Sequence, residues 1–180
     1  TGHTEVTDAA VAATCTTAGK TEGSHCLVCN AVLKAQQTIS ATGHTEVTDA
    51  AVTATALREG KTEGSHCKVC GTVLKKQNTI AKLTPTISLT ASSLKMKTGQ
   101  STTAFRATGF ETGDYVTKVI SGNTGIVKVS SVKNDGTFKL TATKKTGSTT
   151  VTVYLASNKT ASFKVTVQKA AVKTEKITTT

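Results

Sequence analysis

From Leu83 onward, apolar and polar residues alternate in short runs. Phe138, Leu140 and Ala142 share one side of such a run, as do Val151, Val153 and Leu155, then Phe163, Val165 and Val167; Thr, Lys and Tyr154 fall on the other side. A period of two is the signature of half-buried β-strands. The pattern predicts strands near Ile87–Thr90, Leu94–Met96, Thr102–Thr108, Tyr115–Ile120, Ile126–Val129, Thr137–Ala142, Thr150–Leu155 and Phe163–Val167. Turn residues punctuate them at Thr98-Gly99-Gln100, Thr112-Gly113-Asp114, Asn123-Thr124-Gly125, Asn134-Asp135-Gly136 and Ser157-Asn158-Lys159. So many short strands suit two packed antiparallel sheets. The single proline, Pro85, stands ahead of the first strand, where its missing N–H costs little.

Before Leu83 the chain repeats itself. TGHTEVTDAAVAATCTTAGKTEGSHCLVCNAVLKAQQTISA, from Thr1, recurs from Thr42 as TGHTEVTDAAVTATALREGKTEGSHCKVCGTVLKKQNTIAK, an offset of 41 residues. Neither copy contains an aromatic residue, so neither can bury enough apolar surface to fold without a cross-link.

Each copy carries the material for one. The candidates are His3, Cys15, His25, Cys26 and Cys29 in the first, and His44, His66, Cys67 and Cys70 in the second, where Ala56 stands in place of Cys15. Cys26-Leu27-Val28-Cys29-Asn30 and Cys67-Lys68-Val69-Cys70-Gly71 have the form of zinc knuckles. The residue after the second Cys of a knuckle often turns left-handed, which Gly does freely and Asn tolerates.

A Cys3His structural zinc site of His3, Cys15, Cys26 and Cys29 is expected in the first copy. The second copy offers His44, Cys67 and Cys70, with His66 or water as the fourth ligand. A register pairing His44 with Cys26 and Cys29 leaves the second knuckle without a histidine, so ligand sets drawn from within each repeat are preferred. Disulfides are the rival staple, although five cysteines cannot all pair within one chain and two-residue spacing suits metal better. Catalytic readings are weak. No long helical periodicity flanks either CxxC to support redox chemistry, and adjacent His-Cys side chains seldom face each other.

Charge adds one distinction. The net charge is +11, but residues 1–82 hold 8 bases and 7 acids, whereas residues 83–180 hold 14 and 4. Lysines interleaved with apolar residues form a solvated sheet face. With 3% aromatics and no Trp to stack on bases or sugars, this charge does not make a nucleic-acid binder and argues against glycan recognition. No apolar run of about 18 residues exists to cross a membrane as a helix. Without an initiator Met or a leader, the sequence reads as a piece of a longer protein.

LTPTISLTASSLKMKTGQSTTAFRATG, followed by NTGIVKVSSVKNDGTFKLTATKKTGSTTVTVYL and TASFKVTVQ, resembles a bacterial immunoglobulin-like domain of group 2 over residues 84–168. Many members carry a core Trp near the position of Val119, so the resemblance implies the same fold with a smaller anchor. The 41-residue repeats resemble cysteine-containing repeats found beside such domains in large surface proteins of anaerobic Gram-positive gut bacteria.

The expectation is therefore an all-β chain: two small zinc-ribbon-like repeats at 1–41 and 42–82, an Ig-like β-sandwich at 83–169, and a linker at 170–180 to a further module. The resemblance implies a non-enzymatic spacer on the cell surface or wall, with neighbouring modules of the same chain as partners and contacts to wall polymers or host glycans and proteins. The alternatives are an adhesin binding a host glycan or matrix protein, and a metal-binding or thiol-redox module.

Overall fold

A computed structural model describes residues 2–171; the expected linker at 170–180 lies almost wholly outside them. All the regular structure is β, with no helix among the described residues. The chain divides into two compact units, one of Thr1–Val52 with Lys61–Asn78, the other of Thr53–Gly60 with Thr79–Thr180.

The first repeat forms β1 (Glu5–Asp8), β2 (Gly19–Lys20), β3 (Gly23–Cys26), β4 (Val32–Lys34) and β5 (Thr38–Ile39). The second repeats the series as β6 (Glu46–Asp49), β7 (Gly60–Lys61), β8 (Gly64–Cys67), β9 (Val73–Lys75) and β10 (Thr79–Ile80). β3 lies between β1 and β4 in a three-stranded antiparallel sheet, and β8 lies likewise between β6 and β9. The registers coincide: Glu5 faces Cys26 and Val6 faces His25, while Glu46 faces Cys67 and Val47 faces His66.

Both knuckles close alike. Asn30 N donates to Cys26 O and Gly71 N to Cys67 O, each at 2.9 Å. Asn30 and Gly71 adopt φ of 57° and 73°, the left-handed turn expected after the second cysteine.

What the first unit lacks is a core. Among the described residues its buried apolar side chains are Cys15, Cys26 and Cys67, while Leu27, Val28, Val32, Val69 and Val73 stand in solvent. So little buried apolar surface cannot offset the conformational entropy of ordering the chain.

The second unit has a core of the ordinary kind. β12 (Ser93–Lys97), β19 (Thr160–Gln168), β18 (Gly147–Leu155) and β15 (Val116–Ser121) make one sheet; β13 (Ser101–Thr102), β17 (Lys139–Ala142) and β16 (Val127–Ser130) make another; β11 (Ser88–Leu89) pairs with β14 (Ala107–Thr108). The inward residues expected on the last three strands are all buried. Phe105 stacks on Phe163 with centroids 3.9 Å apart, and Phe138 lies 6.2 Å from Phe163. Val119 is buried as expected, and the aromatic centre is supplied by these three phenylalanines.

One predicted strand is two. Thr102–Thr108 splits into β13 and β14, which join different pairings. The Thr102 hydroxyl accepts the N–H of Ala104 at 3.1 Å, taking a donor that a continuous strand would spend on its ladder. The resulting bend carries Phe105 into the core.

Candidate metal centres

Thr14 builds the loop that carries Cys15. Its N–H donates to Thr17 O at 2.9 Å, and its hydroxyl accepts the N–H of Thr17 at 3.0 Å. Gly19 follows, packed so tightly on Val11 and Ala13 that a Cβ there would meet Val11 O at 2.3 Å. The outer carbonyls of the loop accept from the start of the second repeat: Thr42 N donates to Thr14 O at 2.9 Å and Gly43 N to Cys15 O at 3.1 Å. Gly43, at φ 72°, then turns the chain towards His44.

These contacts bring Cys15 into a group with His44, Cys67 and Cys70, whose donor atoms all lie within 4.8 Å of one another. Cys15 Sγ is 3.8 Å from Cys67 Sγ, and His44 Nδ1 is 3.4 Å from Cys70 Sγ. Bond lengths of ~2.3 Å to sulfur and ~2.0–2.1 Å to nitrogen put tetrahedral S···S and S···N edges at about 3.8 and 3.6 Å. The group therefore has the composition of a Cys3His centre, and these two separations match tetrahedral edges.

The four groups perturb one another's proton affinity. Cys67 is held down to about 5, chiefly by the Cys70 backbone N–H, with help from His44 and the Val69 N–H and against its own burial. Cys70 is lowered by the hydroxyl and N–H of Thr72. His44 is raised by the two neighbouring sulfurs, Cys67 first. Cys15 is pushed up to about 11 by burial and then by Cys70 and Cys67, so the thiol that keeps its proton is the one crowded by anions. A dication held there would reverse that balance, with Cys15, Cys67 and Cys70 as thiolates beside His44.

A second group repeats most of the first. His3, Cys26 and Cys29 lie together, with His3 Nδ1 3.5 Å from Cys29 Sγ. Cys26 is lowered to about 6 by the N–H groups of Cys29 and Val28, then by His3. This group has three donors.

The donor groups differ from the expected sets. His3 and His44 each lie with the CxxC of their own repeat, but Cys15 does not join His3, Cys26 and Cys29. Its loop is hydrogen-bonded to Thr42 and Gly43, and that fixes its sulfur at the second repeat's site.

His66, the expected extra ligand, lies outside the group. Neighbouring side chains alternate along β8, so His66 turns away from Cys67, and its Nδ1 meets Asp49 Oδ1 at 2.8 Å. His25 does the same with Asp8, also at 2.8 Å; both histidines are strand residues.

Ala56, the counterpart of Cys15, packs within the C-terminal unit. Leu83 N donates to Thr55 O at 3.0 Å and Ala56 N donates to Thr112 O at 2.9 Å. The Leu83 to Thr55 bond is the counterpart, 41 residues on, of Thr42 to Thr14. The loop thus reaches forward in both repeats. It carries a thiol where the next segment holds a histidine and a CxxC, and a methyl where it holds neither.

No family model matches the chain, and no curated protein matches it. Among solved structures, a crystal structure of the S-layer protein rSbsC(31-844) aligns with 95% of this chain and 36% of its own length, at 13% identity and a TM-score of 0.44. Fibronectin(III)-like modules of Clostridium thermocellum CbhA align over 96% and 98% of the two chains at 11% identity and a TM-score of 0.32. Invasin, a bacterial integrin-binding protein, aligns over 94% of this chain and 40% of its own, at 13% identity and 0.33. The chain spans about a third of the S-layer structure. At such scores the sandwich assignment rests on the chain's own two sheets and shared core.

Proposed function

We propose that this segment is a non-enzymatic spacer of an extracellular bacterial surface protein, in which a structural zinc ion on Cys15, His44, Cys67 and Cys70 ties one repeat to the next. The carrying observation is that four donors from two repeats lie within 4.8 Å of one another in a unit whose buried apolar side chains, among the described residues, are cysteines. Four protein ligands leave no position for water or substrate, which suits a structural ion and not a catalytic one. Because the ligands come from both repeats, metal binding supplies the folding free energy that the missing core does not.

The surface location is supported by the resemblance of residues 84–168 to group 2 Ig-like domains. Neighbouring modules of the same chain are the expected partners, with wall polymers or host glycans as further contacts through the basic sandwich. Against a glycan-binding adhesin, Lys118 Nζ sits 4.6 Å over the ring of Tyr154, covering a face that a sugar would stack on.

Elemental analysis of anaerobically purified protein, with thiol titration before and after chelation, tests the proposal. The expected result is at least one zinc per chain, with Cys15, Cys67 and Cys70 unreactive until chelator is added. No metal and about one free thiol would replace the ion with CxxC disulfides and leave an oxidised spacer. Reproducible binding on a glycan array at physiological salt would replace the spacer with an adhesin.

A further inference from the structure

The three-donor group is the receiving half of the four-donor one. The strings TGHTEV before β1 and before β6 are identical, the sheet registers coincide, and both knuckles make the same turn. At the second repeat that half is met by the Cys15 loop: Ala13, Thr14 and Cys15 line one side of a cleft, with Thr42, Gly43, Thr45, Val69 and Cys70 on the other. At the first repeat the same surface faces solvent. Among the described residues no loop thiol joins it, and its donors are His3, Cys26 and Cys29, where the second repeat's group also has Cys15.

No thiol of this chain is free to complete it. Cys15 is engaged 3.8 Å from Cys67, and the second repeat has Ala56 at the donor position.

We infer that His3, Cys26 and Cys29 bind a second zinc ion whose fourth ligand is the thiolate of a Thr-Cys-Thr loop on another copy of this repeat, joined ahead of residue 1. The inference rests on the metal reading of the Cys15 centre. Each thiol that binds gives its proton to solvent, and no redox change is involved. The repeat then works as a directional coupler: its CxxC and histidine receive a thiol from the copy before, and its loop donates one to the copy after.

The test is a cobalt(II) titration, read by the thiolate charge-transfer and tetrahedral bands, of three proteins. These are the chain as it stands, the chain with residues 1–41 duplicated ahead of it, and that extended chain with the added loop cysteine changed to Ala. In both extended chains the added copy's counterparts of His3, Cys26 and Cys29 are replaced by Ser, so the added copy can only donate.

The chain as it stands is expected to take one tight cobalt. The cysteine-bearing extension takes two, the second bound at least roughly 10–100-fold more tightly than in the Ala control, since even outer-shell partners carry that much. Changing His3 to Ala in the cysteine-bearing extension removes the second tight site and leaves the first, which separates ligation from a folding effect. Equal second-site affinity in both extended chains, with the first site tight, overturns the inference and leaves the metal reading intact. Failure of all three proteins to bind one cobalt tightly overturns both.

Discussion

The sulfur of Cys15 lies 3.8 Å from that of Cys67, 52 residues further along the chain. Since the first unit buries few apolar side chains besides its cysteines, the contact implies that its stability depends on what joins these sulfurs. Cys15→Ala should lower cobalt affinity at the second repeat by at least roughly 10–100-fold and leave a three-donor site there. Cys29→Ala, confined to the other group, should leave the tight site unchanged. Parallel titrations of the two variants check both statements.

Metal removal should divide the molecule thermodynamically. Excess chelator is expected to melt the repeats while the sandwich keeps a cooperative transition, because the latter is held by Phe105, Phe138, Phe163 and the valines of β18 and β19. Hydrogen exchange with and without chelator should show protection lost in β1, β3, β6 and β8 and retained in β18 and β19. Equal loss in both sets would mean that the metal is not what folds the repeats.

Phe163→Ala removes the ring on which Phe105 stacks and should cost about 3–5 kcal/mol of sandwich stability. Denaturant melts would show the sandwich transition moved to lower concentration, with metal stoichiometry unaltered.

Gly19→Ala drives a methyl into the Val11 carbonyl and the Ala13 amide, both backbone atoms that cannot swing aside. A cost of about 1–3 kcal/mol follows from such overpacking. The expected signature is a drop in tight metal affinity although every ligand is intact, because the loop carrying Cys15 has shifted.

The knuckle turns make a graded pair. Asn30→Gly eases a left-handed residue and should be neutral or slightly stabilising. Gly71→Val places a β-branched side chain at φ 73° and should cost about 1–2 kcal/mol. Metal-dependent thermal melts of the two variants should move in opposite directions, or only the second should move.

Much of this is legible in the sequence. Alternation marked Phe138, Leu140, Val151, Val153, Phe163 and Val165 as inward because a strand has only two faces. The left-handed residue after each CxxC was legible because Gly and Asn pay least for it. The break at Ala104 was not, since it depends on one hydroxyl choosing a neighbouring amide. Nor was the partner of Cys15. Spacing within a repeat says which residue types recur, whereas the hydrogen bonds from Thr42 and Gly43 decide which copy receives the sulfur. One trace of this stands in the sequence: Ala56 lacks the thiol in the repeat that is followed directly by the cysteine-free segment from Leu83.

The long interval between Cys15 and Cys67 has a mechanical consequence for a chain under tension. A metal closing that interval would take 52 residues out of the extensible contour, about 180 Å of slack at ~3.3–3.6 Å per residue. Force applied at the ends would then pass through the thiolate bonds before it reached the short strands between them. Rupture of a metal–sulfur bond would release the stored length and dissipate work, and rebinding would restore the original span, so the proposed linkage would act as a resettable shock absorber.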